Sequence, residues 1–470
     1  MNILVLMCDQ LRGDVFDAGH VCHTPHLDRL AARGVRFTRA YTPNAVCSPA
    51  RASLMTGRLP HAHGVLTVTH TVDDDQCSLR TDLPHWAQHL EAAGYQTGYF
   101  GKWHVERSGA LEPFGWQQSA CEGSPALAAV DPDVIHDPAW SLEWHLDQPP
   151  GYSSSRFYGA VDALPEQRRM GSRVRLAHRF LDGVLPSQDP WCLMVSLQEP
   201  HDPFVCGTEA LSQYDIDAIE LPASVDDDLV GRPGIYRKAA RVWAHMTPRQ
   251  RREAAACYYA SITEIDALFG TLLDRLQTSG QLDDTLVVLT SDHGELLGAH
   301  GLYCKNFTGA EEVYRIPMTI AGPGVEAGQT SDGRVGLHDL GPTLLALSHC
   351  EPMDTAGDSR SFLPLLQAPT ASQDWQRGYA EYFGGRMLLT QRVIWDGDWK
   401  FVFNGFDEDE LYHLGTDPHE LDNRITDPTC RLQVESLCRQ MWERCRTSGD
   451  ASLLNSQYPI LRVAPLGPEG

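Results

Sequence analysis

Short apolar runs alternate with helical patterns along this chain, and that alternation constrains its fold more than any other feature. Asn2–Met7 (NILVLM) and Thr285–Thr290 (TLVVLT) are brief and apolar, the pattern of parallel strands buried on both faces. Tyr95–Phe100 and Trp191–Leu197 (WCLMVSL) read as two more strands. Helical segments lie between them. Thr24-Pro25 opens a helix through Ala32, stopped by Gly34, and Asp82 with Pro84 opens LPHWAQHLEAA, stopped by Gly94. A long helix runs from about Pro248 to Gln277 with Gly280 after it. His338–Leu347 forms another, with Pro342 near its start. The order predicts an α/β layer fold.

The residues just after each strand point to chemistry. Asn2–Met7 leads to Asp9 and Gln10, and Tyr95–Phe100 leads to Lys102, Trp103 and His104. Trp191–Leu197 leads to Glu199, Pro200, His201 and Asp202, and Thr285–Thr290 leads to Asp292 and His293. Singly, each is an ordinary turn, cap or surface residue. Together they deliver metal-ligand and proton-transfer groups to the carboxyl edge of one sheet, where open α/β sheets bind ligands.

The stretch Cys47–Gly64 (CSPARASLMTGRLPHAHG) supplies a fifth piece. Pro49 suits the first turn of a helix, where its missing N–H costs nothing. Cys47 would then sit by unpaired helix N–H groups at the positive end of the dipole, which favours anions and lowers a thiol pKa. Arg51 comes on the same turn, and its planar fork suits tetrahedral oxyanions.

The 470 residues suffice for one large domain and a smaller one. A net charge of −24 argues against nucleic acid and against an anionic membrane surface. An anionic substrate would need basic residues focused in the cleft. The N-terminus MNILVLMCDQ lacks a basic region, and its apolar run is too short for a signal peptide or a membrane span. The expectation is a cytoplasmic protein. Thirteen cysteines, an odd number with no CxxC pair, read as reduced thiols. Cys22-His23 with His26 is a local and incomplete zinc pattern.

The Cys47 stretch resembles the signature of the formylglycine-dependent sulfatases of the alkaline phosphatase superfamily. There Cys-x-Pro-x-Arg carries a Cys oxidised to an aldehyde whose hydrate is the nucleophile. The resemblance extends to TPHLDRLAARGVRFTRAYT, GKWH, EPHDPF, SDHGELLGAHGLYCK with EEVYRIPMTIAGPG, and GDWKFVFN with ELYHLGTDPHELDN. It implies a large catalytic domain with a central, mostly parallel sheet between helices, over residues 1–365. A small C-terminal α+β subdomain with an antiparallel sheet would occupy 366–470, the boundary falling in the polar, turn-rich QAPTASQDWQ. Its final helix is expected over Cys430–Thr447, with an extended tail after it.

The resemblance also assigns roles. Asp9, Asp292 and His293 match metal-ligand positions, Gln10 is expected as a further ligand, and one oxygen of modified Cys47 would bind the same ion. Arg51 would hold the formylglycine, and Lys102 and Lys305 would contact the sulfate. His104 would assist turnover of the covalent intermediate, and His201 would protonate or contact the leaving oxygen. One hydroxyl of the aldehyde hydrate attacks sulfur. Deprotonating the other expels sulfate and restores the aldehyde.

Two departures stand out. Many sulfatases have two adjacent acids where this chain has Asp9-Gln10, and Asp-Asn where it has Asp292-His293. Calcium is the family default, whereas an imidazole ligand also suits manganese. The same variants resemble choline sulfatases, some carbohydrate sulfatases and phosphonate monoester hydrolases. The expected activity is therefore hydrolysis of a sulfate monoester on a small molecule or saccharide, after maturation by a formylglycine-generating enzyme. The alternatives are phosphonate monoester or phosphodiester hydrolysis with the same machinery, and a non-catalytic sulfated-glycan binder. Trp140–Tyr158 and Glu381–Arg392 are candidate pocket walls, with Arg386 a candidate partner for a substrate carboxylate.

Overall fold

A computed structural model describes residues 1–470 except 74–77, 81, 123, 131–133, 188, 306, 371–372, 386 and 455–457. Among the described residues the largest sheet has eight strands. Their order is Gln329–Ser331, Gly34–Phe37, Met318–Ala321, Thr285–Ser291, Asn2–Cys8, Trp191–Ser196, Gln96–Gly101 and Gln118–Ala120. Met318–Ala321 runs antiparallel to both its neighbours, and the other described pairings in this sheet are parallel.

Register decides where the site forms. Cys8 lies opposite Ser291, Met7 opposite Ser196, and Gly101 opposite Ser196. Four parallel strands thus end at one level, so the residues just after them emerge at one edge. Both faces of the sheet are covered. Leu4, Leu6, Leu193, Val195, Val287 and Leu289 pack on one side against the long helix Pro248–Thr278. Ile3, Val5, Met7, Cys192, Met194, Leu286 and Val288 pack on the other with Trp86, Leu340 and Leu344. Successive residues of each strand therefore feed different layers, which is why the runs read as continuously apolar.

Several expected elements shift by a few residues. The first helix spans Pro25–Ala31, but Gly34 does not stop it; Gly34 opens a strand. A Cβ there would meet the Ile320 carbonyl oxygen at 2.0 Å, so glycine is required by close strand approach. The Asp82–Pro84 opening also moves. That helix is Trp86–Ala92, because Gln88 Oε1 accepts the His85 N–H at 2.7 Å and fixes the first turn there. Leu340–Leu347 is helical after a single 3₁₀ turn at Leu337–Asp339.

The C-terminal region contains an antiparallel meander, Arg377–Tyr382, Gln391–Asp396, Trp399–Asn404 and Glu410–His413. One face packs on the helix Arg431–Ser448 through Phe401, Phe403, Leu411, Leu437, Met441 and Trp442. The other face, with Tyr382, Val393, Trp395 and Val402, packs on Tyr41, Val46, Leu296 and Tyr314. The tail is not extended away from the body: Leu466 O accepts from Trp442 Nε1 at 2.7 Å, and Pro468 O from Arg446 Nη1 at 2.9 Å.

Candidate active site

Cys47 opens the ten-residue helix Cys47–Thr56, every residue of which is buried. Val46 is extended and caps it, Pro49 lies in the first turn, and Gly57 closes it in the left-handed conformation at φ 65°. The helix points its N-terminus at the ends of the four parallel strands. Arg51, one turn in, is 1% exposed and ties the pieces together. Its Nε donates to Asp292 Oδ2 at 2.7 Å and its Nη2 pairs with Asp9 Oδ2 at 3.2 Å. Its Nη1 donates to Lys102 O at 2.7 Å and Ser196 Oγ at 2.9 Å. One guanidinium thereby bridges groups from all four strand ends, which a lysine could not do.

Lys102 Nζ pairs with Asp9 Oδ2 at 2.5 Å and reaches to 3.9 Å from Cys47 Sγ. Burial pushes the Cys47 thiol up, but Lys102, Lys305 and His293 outweigh burial and hold it well below its ordinary range. Asp9 is likewise held low: Lys102, His201 and Arg51 overcome burial and the Cys47 charge. Asp292 goes the other way, raised by burial and then by Asp9, against the pull of Arg51.

One ligand atom from each of Asp9, Cys47, Asp292 and His293 lies within 4.8 Å of the others, and all four residues are buried. His293 Nδ1 lies 2.9 Å from Gly294 O, which can only accept, so Nδ1 carries a proton. Its Nε2 therefore faces Cys47 Sγ at 3.2 Å, Asp9 Oδ1 at 3.6 Å and Asp292 Oδ1 at 3.8 Å. Burial pushes this imidazole down, and Asp292 with Cys47 overcome burial to raise it. The surroundings thus call for positive charge at that point. Two carboxylate oxygens, a sulfur and a ring nitrogen with its second nitrogen fixed by a carbonyl suit a divalent cation.

Beyond this cluster opens a cavity of about 480 Å³. Cys47, Lys102, His104, His201 and Lys305 form its floor, and Val68, Phe307, Tyr382, Met387 and Leu389 part of its wall. Lys305 Nζ donates to Gln10 Oε1 at 2.5 Å and contacts His201 Nε2. His201 Nδ1 donates to Asp202 O at 2.6 Å, and its Nε2 lies 3.9 Å from Asp9 Oδ1. Asp9 and Asp202 raise the His201 pKa against burial and Lys305. His104 sits in the left-handed region, φ 54°, with Nε2 2.5 Å from His70 Nδ1.

Residues 1–349 match the sulfatase family model, and 298–447 match that of the N-sulphoglucosamine sulphohydrolase C-terminal region. The chain belongs to the sulfatase family. It is 31% identical over 440 residues to the choline-sulfatase of Rhizobium meliloti, covering 91% of this chain and 83% of that one. It is 26% identical over 494 residues to the N-acetylglucosamine-6-O-sulfatase of Bacteroides thetaiotaomicron, covering 90% and 82%. The solved phosphonate monoester hydrolase SpPMH of Silicibacter pomeroyi superposes with a TM-score of 0.79 at 24% identity, over 95% of each chain, which bears on the fold. This sulfatase is an enzyme that hydrolyses sulfate esters, with an alkaline-phosphatase-like α/β fold.

The structure brings Asp9, Gln10, Cys47, Arg51, Lys102, His104, His201, Asp292, His293 and Lys305 of the sulfatase into one site. Gln10 enters it by its backbone, donating to Asp292 Oδ1 at 3.1 Å, and by a side chain bonded to Lys305, Asp202 and Glu295. Sequence reasoning missed Ser196, Glu295 and His70 as working parts of the site, and reached Asp202 by its place after a strand without giving it a role. Ser196 ends a strand at the site's level, and Glu295 lies inside the segment SDHGE, so position alone could have flagged them. His70 carried no such signal. Of the candidate walls, Tyr382, Gly385, Met387 and Leu389 line the catalytic cavity. Trp140 instead lines an adjacent cavity of about 270 Å³ that shares Gln198, His201 and Asp202. Glu381 turns away to His61, and Arg392 to Asp450. Arg386 lies outside the described residues. Cys22 Sγ faces Tyr259 O at 3.7 Å, while His26 Nδ1 meets Arg29, so these groups diverge. Among the described residues no helix is long and apolar enough to cross a membrane.

Proposed function

We propose that the enzyme cleaves a sulfate monoester of a small molecule or saccharide, using formylglycine made from Cys47 and one divalent cation. The observation that carries this is the gathering of Asp9, Cys47, Asp292 and His293 at a buried helix start with Lys102 beside the sulfur. Asp9, Asp292, His293 and modified Cys47 would hold the cation, whereas the Gln10 side chain, expected as a further ligand, is taken up by Lys305, Asp202 and Glu295. Bound there, the cation would polarise sulfate oxygens and favour a deprotonated nucleophile. The aldehyde hydrate would supply a nucleophile at position 47 and a second hydroxyl whose deprotonation releases sulfate.

The chain's own residues do the rest. Arg51 fixes Asp9 and Asp292 in place and keeps their charges compensated. Lys102 and Lys305 offset the charge of the bound sulfate from two sides of Cys47, which is the preorganised stabilisation worth most in a water-poor site. His201, raised and half-buried, donates a proton to the leaving oxygen, a contribution of about 10²–10⁴-fold. His104 accepts the proton that releases sulfate. Calcium follows from the family resemblance, and manganese from the imidazole ligand. A cytoplasmic location fits a small substrate taken up by the cell.

The test is peptide mass spectrometry at Cys47 after co-expression with a formylglycine-generating enzyme, with kcat/KM on an aryl sulfate, choline sulfate, glucosamine 6-sulfate and a phenylphosphonate ester. Aldehyde at position 47 with the best kcat/KM on a sulfate supports the reading. A thiol at position 47 in active protein, or a preference for the phosphonate, overturns it.

A further inference from the structure

The Gln10 side chain has both its polar atoms bonded beside the catalytic cavity, and its partners say why an amide stands there. Gln10 comes after the central strand in the left-handed region at φ 67°. Its N–H donates to Asp292 Oδ1 at 3.1 Å and its carbonyl accepts from Tyr258 Oη at 2.7 Å, so the backbone is fixed at both ends. The side-chain nitrogen donates to Asp202 Oδ1 at 2.9 Å and to Glu295 Oε2. The side-chain oxygen accepts from Lys305 Nζ at 2.5 Å.

An amide has two ends of similar shape and opposite polarity, and its partners decide which way round it sits. Asp202 Oδ1 and Glu295 Oε2 lie against the nitrogen end, and the Lys305 ammonium, which can only donate, lies against the other. The oxygen is left for the lysine. Glu295 is itself immobile: it is wholly buried, and its Oε1 accepts the N–H groups of Leu297 at 2.9 Å and Cys304 at 2.6 Å. Those bonds hold the turn that leads into Lys305. An acid at position 10 would instead set three carboxylates against one another.

We propose that Glu295 and Asp202 are positioning residues that hold the Gln10 amide the one way round that presents its oxygen to Lys305, so fixing the ammonium against the sulfate. A lysine is a point charge on a flexible stem; with one N–H bonded to Gln10 Oε1 and another meeting His201 Nε2, the third is aimed rather than wandering. The inference rests on the reading of Lys305 as a sulfate contact.

Glu295→Gln is the decisive variant. Its new amide keeps an oxygen for Leu297 and Cys304 but turns an NH₂ at Gln10, which must then flip its own NH₂ toward Lys305. The expected result is an unchanged Tm, with KM for an aryl sulfate raised and inorganic-sulfate affinity weakened, each by about tenfold or more, the worth of a hydrogen bond to a charged group. In a Lys305→Ala background, Glu295→Gln should change sulfate affinity by less than about twofold, because coupled residues are not additive. Adding Gln10→Glu to Glu295→Gln should recover part of the lost affinity. The carboxylate so placed at position 10 can accept from the amide at position 295 and still offer an oxygen to Lys305. Asp202→Asn, at a half-exposed position, should act in the same direction by a few-fold and serves if Glu295→Gln does not fold. Glu295→Gln that binds sulfate as wild type does, or that loses as much without Lys305 as with it, overturns the proposal. Wild-type protein that neither binds inorganic sulfate nor cleaves a sulfate ester overturns the reading of Lys305, and this inference with it.

Discussion

The two sides of the site are built by different means. Asp9, Arg51, Lys102, Asp292 and His293 are buried and hang from strand ends and a buried helix. Their mutual bonds are part of the molecule's core. Lys305, His201, Asp202 and His104 are half-buried and come from loops, and His70 is exposed in the 3₁₀ turn Thr69–Thr71; all five meet across a cavity. The first group can be rigid because register between parallel strands sets its spacing. The second depends on side-chain bonds such as Gln10 to Lys305, and it borders the space a substrate must enter. Removing a residue should therefore damage both fold and chemistry on the buried side, and chemistry alone on the cavity side.

The largest expected effect lies where the two sides meet. Cys47→Ala should lower kcat/KM on sulfate esters by at least about 10³-fold, by loss of the nucleophile, with little change in Tm. Residual turnover close to wild type would show that position 47 is not the reacting group. The contrast itself is tested by a pair of variants. Arg51→Ala strips buried Asp292 of its guanidinium partner, leaves Asp9 with Lys102, and should cost about 3–5 kcal/mol of stability, read as a large drop in Tm or insoluble protein. Lys305→Ala should leave Tm close to that of wild type while lowering kcat/KM by about 10²–10³-fold. Equal stability losses in the two variants would erase the distinction.

Chelation sharpens it further. Stripping divalent cations should abolish activity and destabilise the fold. Adding back calcium or manganese at about 100 times its Kd should recover about 2.7 kcal/mol by mass action. Arg51→Lys should weaken that cation-dependent rise in Tm, whereas Lys305→Ala should leave it intact.

The smallest effect lies outside both sides. His61 Nδ1 bonds Glu381 at 2.8 Å and its Nε2 donates to Ser448 O at 3.0 Å, joining the short helix Pro60–His63 to the C-terminal region. Burial lowers this imidazole, but the Glu381 bond and charge and the Ser448 carbonyl raise it above its ordinary 6.5. Its stabilising contribution is thus complete below pH 6.5 and fades as pH rises through the elevated value. His61→Gln should lower stability by about 1 kcal/mol in mildly acidic buffer and by less in alkaline buffer, followed as Tm against pH. A constant difference across pH would mean that the imidazole carries no charge there.

How much was legible from residues alone differs between the two sides for the same reason. Asp9, Lys102, Asp292 and His293 lie within a few residues of the end of an apolar run, so strand-end logic reached them. Cys47 and Arg51 lay in a helix-start pattern with a family signature. His201 and Asp202 were also reached after a strand, but the roles of His201 and Lys305 came from resemblance, and the bonds of Asp202 and Glu295 to Gln10 stayed hidden. The sheet Trp140–Leu146, Ser155–Val161 and Phe204–Gly207 was missed because its first strand is mixed in polarity and only partly buried.

By itself, then, the sequence determined the layer class, the main strands and helices, and the residue types that reach the catalytic edge, because periodicity and strand-end position are local properties. Only the tertiary structure decided that Arg51 joins four strand ends, that Gly34 is a close strand contact rather than a helix stop, and that Gln10 faces Lys305. Those facts depend on groups up to 295 positions apart meeting at hydrogen-bond distance, and nothing local in the chain encodes which partner lies on the far side of a contact.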